Sequence, residues 1–325
     1  MITYRKFTMN DYDALYQFYN QKVSGIYRKV SKTEFDNNLK KHPEFDLNCV
    51  FLAIDNQKIV GFCMGHIRKI ESNNNLKPGY ISTILVDKKY RMKKIGTTLV
   101  ELVCEYLKSK GKDQVCFGYI STINWPWMIP NTSDCDHNGA PGASINSDLY
   151  CFFLKLGFDI MSTQDAFCLK LEQFKELEVV RKTLKELAKA EIRIELYNPN
   201  IHFGLDEFYR EIDSEPFERV IKNNLLKPKP DPFAVISDHG RISGWTGAFY
   251  TEPSGRAHFD GIIIAPRMRG RGLGRALFSY LASYSKEHGS QFMTFFTDRL
   301  NFARTIYLSL GFKIVQSFAV MGKDI

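Results

Sequence analysis

Three glycines in alternation, at the point where an apolar run hands over to an amphipathic one, constrain this chain more than any other feature. The stretch reads Pro266-Arg267-Met268-Arg269-Gly270-Arg271-Gly272-Leu273-Gly274-Arg275. Residues 259–265 precede it, with Ile262, Ile263 and Ile264 near their end, and predict a buried strand. Leu273, Leu277, Leu281 and Tyr284 follow at spacings of four, four and three, which is one face of a helix. The glycines therefore sit at a strand-to-helix turn. There the first free N–H groups of the helix and its positive dipole end face outward, beside four arginines. Such a turn predicts a socket for an anion, most naturally a phosphate or pyrophosphate.

Two common phosphate motifs are excluded. A P-loop needs Lys-Ser/Thr after the last glycine, where Arg275-Ala276 stands. A dinucleotide fingerprint needs a further glycine at 277, which is Leu, and a following βαβ unit with a ribose-binding acid. The pattern Arg269-x-x-Gly272-x-Gly274 instead resembles the acetyl-CoA motif of the GNAT superfamily of N-acetyltransferases. A second segment about 30 residues on, Asn301-Phe302-Ala303-Arg304-Thr305-Ile306-Tyr307-Leu308-Ser309-Leu310-Gly311-Phe312, resembles that family's Asn…Ala…Tyr…Gly-Phe stretch.

At 325 residues the chain is long for one core and predicts two domains. No apolar secretory core opens it and no run of 18 apolar residues occurs, so a soluble cytoplasmic protein is expected. The seven cysteines all lie between Cys49 and Cys168, without a Cys-x-x-Cys, and predict free thiols, mostly buried. Cys135-Asp136-His137 offers too few ligands for a metal site, so no metal is expected. The net charge of +8 suits a polyanionic cofactor. Nucleic-acid binding lacks an aromatic-interleaved basic stripe.

The order of elements repeats. Arg91 matches Arg269 and Gly96 matches Gly274, both at an offset of 178, while Gly157-Phe158 matches Gly311-Phe312 at 154. The difference is an insertion in the first half, located at the Trp/Pro-rich loop 124–146. The resemblance implies an α/β fold of the α+β type, two tandem GNAT domains, each a mixed, mostly antiparallel sheet flanked by helices. The expected division is 1–171, a connecting helix over 172–191, and 192–325. Within these halves, 159–171 predicts a hairpin, 242–251 a strand, and Ser31 and Glu34 a helix-opening capping box.

Acyl transfer from a thioester to an amine needs a held cofactor, a polarised carbonyl, a neutral amine and a proton for the leaving thiolate. Backbone N–H groups of Gly270, Arg271, Gly272, Leu273, Gly274 and Arg275, with Arg269, would cradle the pyrophosphate. The resemblance implies that main-chain amides at Ile262, Ile263 and Ile264 face the pantetheine and acetyl carbonyl, which requires the strand to leave its neighbour. It also implies Tyr307 as the general acid and Asn301 as a cofactor contact. His258 and Asp260, two apart, share a strand face and are candidate bases, or an exposed edge pair. In the first half Lys94 stands where Gly272 does, and Phe153 where Tyr307 does. Chemistry is therefore expected in the second half, an acetyl-CoA-dependent transfer to a small primary amine or aminoglycoside-like substrate. The rivals are a CoA-sensing scaffold and an acyl or aminoacyl transferase on cell-wall precursors. No membrane partner is expected, and a homo-oligomer stays open.

Overall fold

The alternation at 2–7 becomes β1 (Thr3–Lys6) in the computed structural model, which describes residues 1–69, 78–118 and 121–325. The first half continues with α1 (Tyr12–Lys22), α2 (Lys32–Asn38), β2 (Val50–Asp55), β3 (Lys58–His66), β4 (Pro78–Val86), α3 (Ile95–Ser109) and β5 (Gln114–Phe117). The two-residue strands β6 (Trp127–Met128), β7 (Asp136–His137) and β8 (Ala143–Ser144) follow, then α4 (Asp148–Lys155) and β9 (Asp159–Lys170). The second half runs α5 (Glu178–Lys189), β10 (Ile192–Leu196), α6 (Leu205–Ile212), α7 (Glu215–Leu225), β11 (Ala234–Asp238) and β12 (Arg241–Gly247). It ends with β13 (Arg256–Ala257), β14 (Gly261–Ile264), α8 (Leu273–Glu287), β15 (Phe292–Asp298), α9 (Ala303–Ser309) and β16 (Lys313–Asp324). The capping box at α2 forms: the Ser31 hydroxyl accepts the Glu34 N–H at 3.2 Å, and Glu34 accepts the Ser31 N–H at 2.7 Å.

These elements gather into two units, Met1–Asp165 with Gln316–Ile325, and Ala166–Val315. In the first, the sheet order is β1-β2-β3-β4-β5-β16, antiparallel except for the parallel pair β4 and β5. Successive residues of β2 point to opposite faces, as a pleated strand requires. Phe51 and Ala53 pack with Leu99, Val103 and Leu107 of α3, and Val50 and Leu52 with Leu15, Phe18 and Phe35 of α1 and α2. The insertion 124–146 is built into this unit. Trp125 stacks on Tyr19 at 4.4 Å, Trp127 is fully buried with its indole N–H on the Gly139 carbonyl, and Arg28 pairs with Asp136 at 2.9 Å.

The second unit holds the antiparallel order β10-β11-β12-β14, and β15 between β9 and β13. Leu277, Phe278 and Leu281 of α8 form its core with Val235, Ile236, Trp245, Phe295 and Phe312. Residues 166–170 of β9 belong here, while β16 pairs with β5 in the first unit through Met321↔Phe117 to Asp324↔Gln114. Each half thus ends in a strand that serves the other half's unit, at least in part.

Several expectations need correction. Residues 159–171 form no hairpin: β9 is one strand, and its sequence holds no Gly, Pro or Asn to turn on. The helix of 172–191 starts only at Glu178, after a 3₁₀ turn at Leu171–Gln173. The strand expected over 242–251 stops at Gly247. The strand expected over 259–265 is half-buried and short, for a reason that bears on the site. Parts of the loop at 71–79 and of the strands at 59–70 and 115–120 lie outside the described residues.

Because Trp127 fills core volume instead of covering it, Trp127→Ala is expected to destabilise the first unit by about 3–5 kcal/mol. Urea unfolding of the full chain, followed by near-UV circular dichroism, measures this; a loss under 1 kcal/mol would show the loop to be a surface appendage.

Candidate active site

The glycines lie at a turn that opens a helix, as expected. After a 3₁₀ turn at Pro266–Met268, Gly270 and Gly272 adopt left-handed φ values of 80° and 75°, and α8 starts at Leu273. The first helical bond runs from the Ala276 N–H to the Gly272 carbonyl, so the N–H groups of Leu273, Gly274 and Arg275 have no helical acceptor. Arg269 and Arg271 are exposed beside them. The Arg275 Nε is enclosed without a hydrogen-bond partner among the described residues. A Cβ at Gly272 would lie 3.3 Å from Thr183, and one at Gly274 3.1 Å from Ile306. The small residues, orphaned N–H groups and uncompensated cations fit the diphosphate of coenzyme A.

The first half builds the same turn from other residues. A 3₁₀ turn at Lys88–Tyr90 leads to Met92 and Lys94 at φ 62° and 60°, then to α3, as long as α8 at 15 residues. The Arg91 Nε donates to the Val86 carbonyl at 3.3 Å, and the Arg269 Nε to the Ile264 carbonyl at 3.1 Å. Left-handed geometry costs a residue with a side chain about 1–2 kcal/mol, so the first half keeps this backbone against its own sequence.

Strand geometry supplies the second part of the site. β13 pairs in parallel with β15 through Arg256↔Phe292 and Ala257↔Met293, but among the described residues β14 pairs only with β12, on its other edge. Asp260 N–H bonds the Gly247 carbonyl, although Gly247 is already the partner of Gly261. Two residues against one make a bulge, which bends the strand away. The bond from Ala265 N–H to the Ser243 carbonyl sets the phase of the antiparallel ladder. By its alternation Ile263 turns its N–H to β12, whereas the N–H groups of Ile262 and Ile264 point to the opened side. Of the three expected isoleucine amides, two are therefore available.

His258 and Asp260 do meet: His258 Nε2 lies 2.8 Å from Asp260 Oδ1. Its other nitrogen lies 3.1 Å from Glu252 Oε1, and Tyr250 stacks on the ring at 4.1 Å. Glu252 is buried and shared with Arg256, whose Nε reaches its second oxygen at 3.0 Å and whose Nη1 donates to the Thr294 carbonyl. Burial opposes the charged imidazolium, but the bonds to Asp260 and then Glu252 outweigh it and raise the His258 pKa above its ordinary value. Burial likewise opposes the Asp260 carboxylate, and the bond from His258 reverses this and lowers its pKa. Of the two candidates, His258 is the stronger base.

Tyr307 lies on the other side of the strand. Phe259, between His258 and Asp260, packs on Phe278 and Phe295, which also flank Tyr307 at 4.7 and 4.6 Å. Burial pushes the phenol up to about 12, and no hydrogen bond holds it among the described residues. Asn301 is spent locally: its Nδ2 donates to Thr297 Oγ1 at 3.0 Å and its Oδ1 accepts the Ala303 N–H at 2.9 Å, opening α9. Phe153, at the position of Tyr307, is sealed between Phe117 and Phe158. Sequence reasoning missed Glu252, Arg256 and Tyr250. The only available signal was an acid and a base four apart around a Pro-Ser-Gly turn.

The sequence matches the acetyltransferase (GNAT) family at residues 12–119 and 199–312, well over half the chain. It is 38% identical over 72 residues to N-alpha-acetyltransferase 30 of Dictyostelium discoideum, a match covering 22% of this chain and 37% of that one. The fold is similar to a GCN5-related glucosamine N-acetyltransferase region in a fungal multi-domain β-N-acetylglucosaminidase, with TM-score 0.74 at 17% identity, over 99% of this chain and 38% of that one. It is also similar to a GCN5-related N-acetyltransferase from Sphaerobacter thermophilus (0.60, 16%, over 99% and 95%) and to a tandem GNAT protein from the clavulanic acid biosynthesis pathway (0.61, 13%, over 100% and 98%).

Because its folded pKa is raised, His258 contributes stability that is complete below about pH 6.5, its unfolded value, and is lost as the pH rises through the folded value. NMR titration of its ring protons should therefore give a midpoint above 6.5, and Asp260→Asn should lower it. A midpoint below 6.5 in the unaltered protein would mean that burial wins over the two carboxylates.

Proposed function

We propose that this chain, which belongs to the GNAT family of acetyltransferases, carries its chemistry in the second half: transfer of an acetyl group from acetyl-CoA to a primary amine by direct attack in a ternary complex. The observation that carries this reading is the parting of β14 from β15 beside the glycine cradle, which releases two main-chain donors next to an anion socket. Acetyl-CoA supplies an activated acyl group on a thioester. Its diphosphate would be held by the N–H groups of 270–275, each charge-assisted bond contributing roughly 1.5–3 kcal/mol. The amides of Ile262 and Ile264 face the opened side, where one donor to a developing oxyanion contributes about 3–4 kcal/mol.

The amine arrives as an ammonium, near the Glu252 and Asp260 carboxylates that hold His258. Once neutral, His258 accepts a proton from it, directly or through water. The nitrogen then bonds to the acetyl carbon, the carbon–sulfur bond breaks, Tyr307 gives its proton to the departing thiolate, and the second proton shed by the nitrogen restores the phenol through solvent. A phenol raised to about 12 stays protonated across the neutral range, as a donor must. The N-acetyltransferase and glucosamine N-acetyltransferase relatives support an amine acceptor. The matched segments and the offset of 178 support 1–171 and 192–325 as duplicated domains, joined through 172–191. Seven free cysteines, all between Cys49 and Cys168, favour a reducing cytoplasmic setting, and among the described residues no helix is long and apolar enough to cross a membrane.

Tyr307→Phe is expected to lower kcat at least tenfold with little change in the KM for acetyl-CoA, while Phe153→Tyr leaves the rate unchanged. Release of free thiol with a panel of amines measures both. The reverse pattern would move the chemistry to the first half.

A further inference from the structure

We infer that Glu252, backed by Arg256, is a positioning residue that keeps a proton on His258 Nδ1, so that Nε2 is the nitrogen that deprotonates the amine. Asp260 is then the contact that turns away to uncover Nε2. The inference rests on His258 as the base of the second half and adds which of its nitrogens acts.

The two nitrogens of His258 face unlike carboxylates. Nδ1 lies 3.1 Å from Glu252 Oε1, on a side chain only 8% exposed. Nε2 lies 2.8 Å from Asp260 Oδ1, on a side chain 30% exposed. Glu252 is not free to turn. Arg256 donates to both of its oxygens, from Nη2 to Oε1 and from Nε to Oε2 at 3.0 Å, and Arg256 Nη1 donates to the Thr294 carbonyl at 3.2 Å. The backbone closes the same pair, because the Glu252 N–H donates to the Arg256 carbonyl at 2.8 Å. Asp260 is tied more loosely: its other oxygen accepts the Ala248 N–H at 3.1 Å. It also feels the charge of Lys227, on the loop after α7, which is paired with Asp231 at 2.5 Å. Tyr250, stacked on the ring at 4.1 Å, keeps its plane.

As an imidazolium, the ring satisfies both carboxylates. As a neutral ring it holds one proton, and one nitrogen must turn its lone pair toward a carboxylate oxygen. At Nδ1 that meeting would be buried, where water gives no relief. At Nε2 it is avoided, since the Asp260 carboxylate can rotate into solvent. The bond made by one ring nitrogen sets the role of the other, so the neutral ring carries its proton on Nδ1 and offers the Nε2 lone pair. The freed Asp260 carboxylate pairs with the incoming ammonium. One ammonium proton passes to Nε2, which leaves the ring an imidazolium and the amine nitrogen with the lone pair that attacks the acetyl carbon.

Long-range ¹H–¹⁵N NMR of the full chain, labelled at histidine, tests this, with His258→Gln assigning the signals. At a pH where the ring is neutral, Nδ1 should show the shift of a protonated nitrogen and Nε2 that of an unprotonated one. Glu252→Gln should equalise or reverse the two. It should also lower kcat about tenfold, part of the roughly hundredfold or more that a general base contributes, with the KM for acetyl-CoA within about twofold. Asp260→Asn, whose amide can donate to an unprotonated Nε2, should keep the tautomer and raise the KM for the amine. A proton on Nε2 in the unaltered protein, or a tautomer unmoved by Glu252→Gln, overturns the inference and leaves the glycine turn and the transfer reaction in place. The expected tautomer together with undiminished thiol release in His258→Gln overturns the inference along with the base assignment it rests on.

Discussion

A main-chain N–H can serve a sheet or a ligand, and the second unit depends on which it serves. The strand that starts as β13 is tied to β15 at Arg256 and Ala257, and three residues later it is tied only to β12. The bulge at Asp260–Gly261 makes the change, and Phe217 packs where a side chain at Gly261 would have to go. Once the strand has left its neighbour, the glycine turn, the two free amides and the His258 cluster all border the divergence. An uninterrupted ladder would satisfy those amides and leave nothing to polarise a carbonyl.

The two halves show how much of such a site is backbone and how much is side chain. The turn of Met92 and Lys94 reproduces that of Gly270 and Gly272 to within about 20° in φ, against the steric preference of residues bearing Cβ. Among the described residues β4 likewise pairs with β5 only as far as Ile81. The side chains differ: Phe153, where the second half has Tyr307, has no proton to give, and Trp125 and Trp127 are buried in the core of the first unit.

The cradle was legible because glycine spacing reports directly on backbone conformation. Tyr307 was legible because it sits at a fixed distance from Gly311-Phe312. The divergence of β14 could be anticipated only as a requirement, since a strand's partners are set by residues far along the chain; alternation then showed that Ile263 faces the wrong way. The same non-local choice hid the exchange of terminal strands and turned an expected hairpin at 159–171 into one strand. Glu252 and Arg256 were hidden for another reason. Four residues apart across a Pro-Ser-Gly turn they read as surface charges, and only the fold buries them beneath His258. Asn301, a polar residue in the second motif, makes its bonds within its own turn.

The most direct measurement is a crystal structure of the whole chain with acetyl-CoA bound. The account predicts the diphosphate within hydrogen-bond reach of the N–H groups of 270–275, and the acyl arm in the opening between β14 and β15. A diphosphate seated at 92–97 alone, with the glycine turn empty, would contradict it.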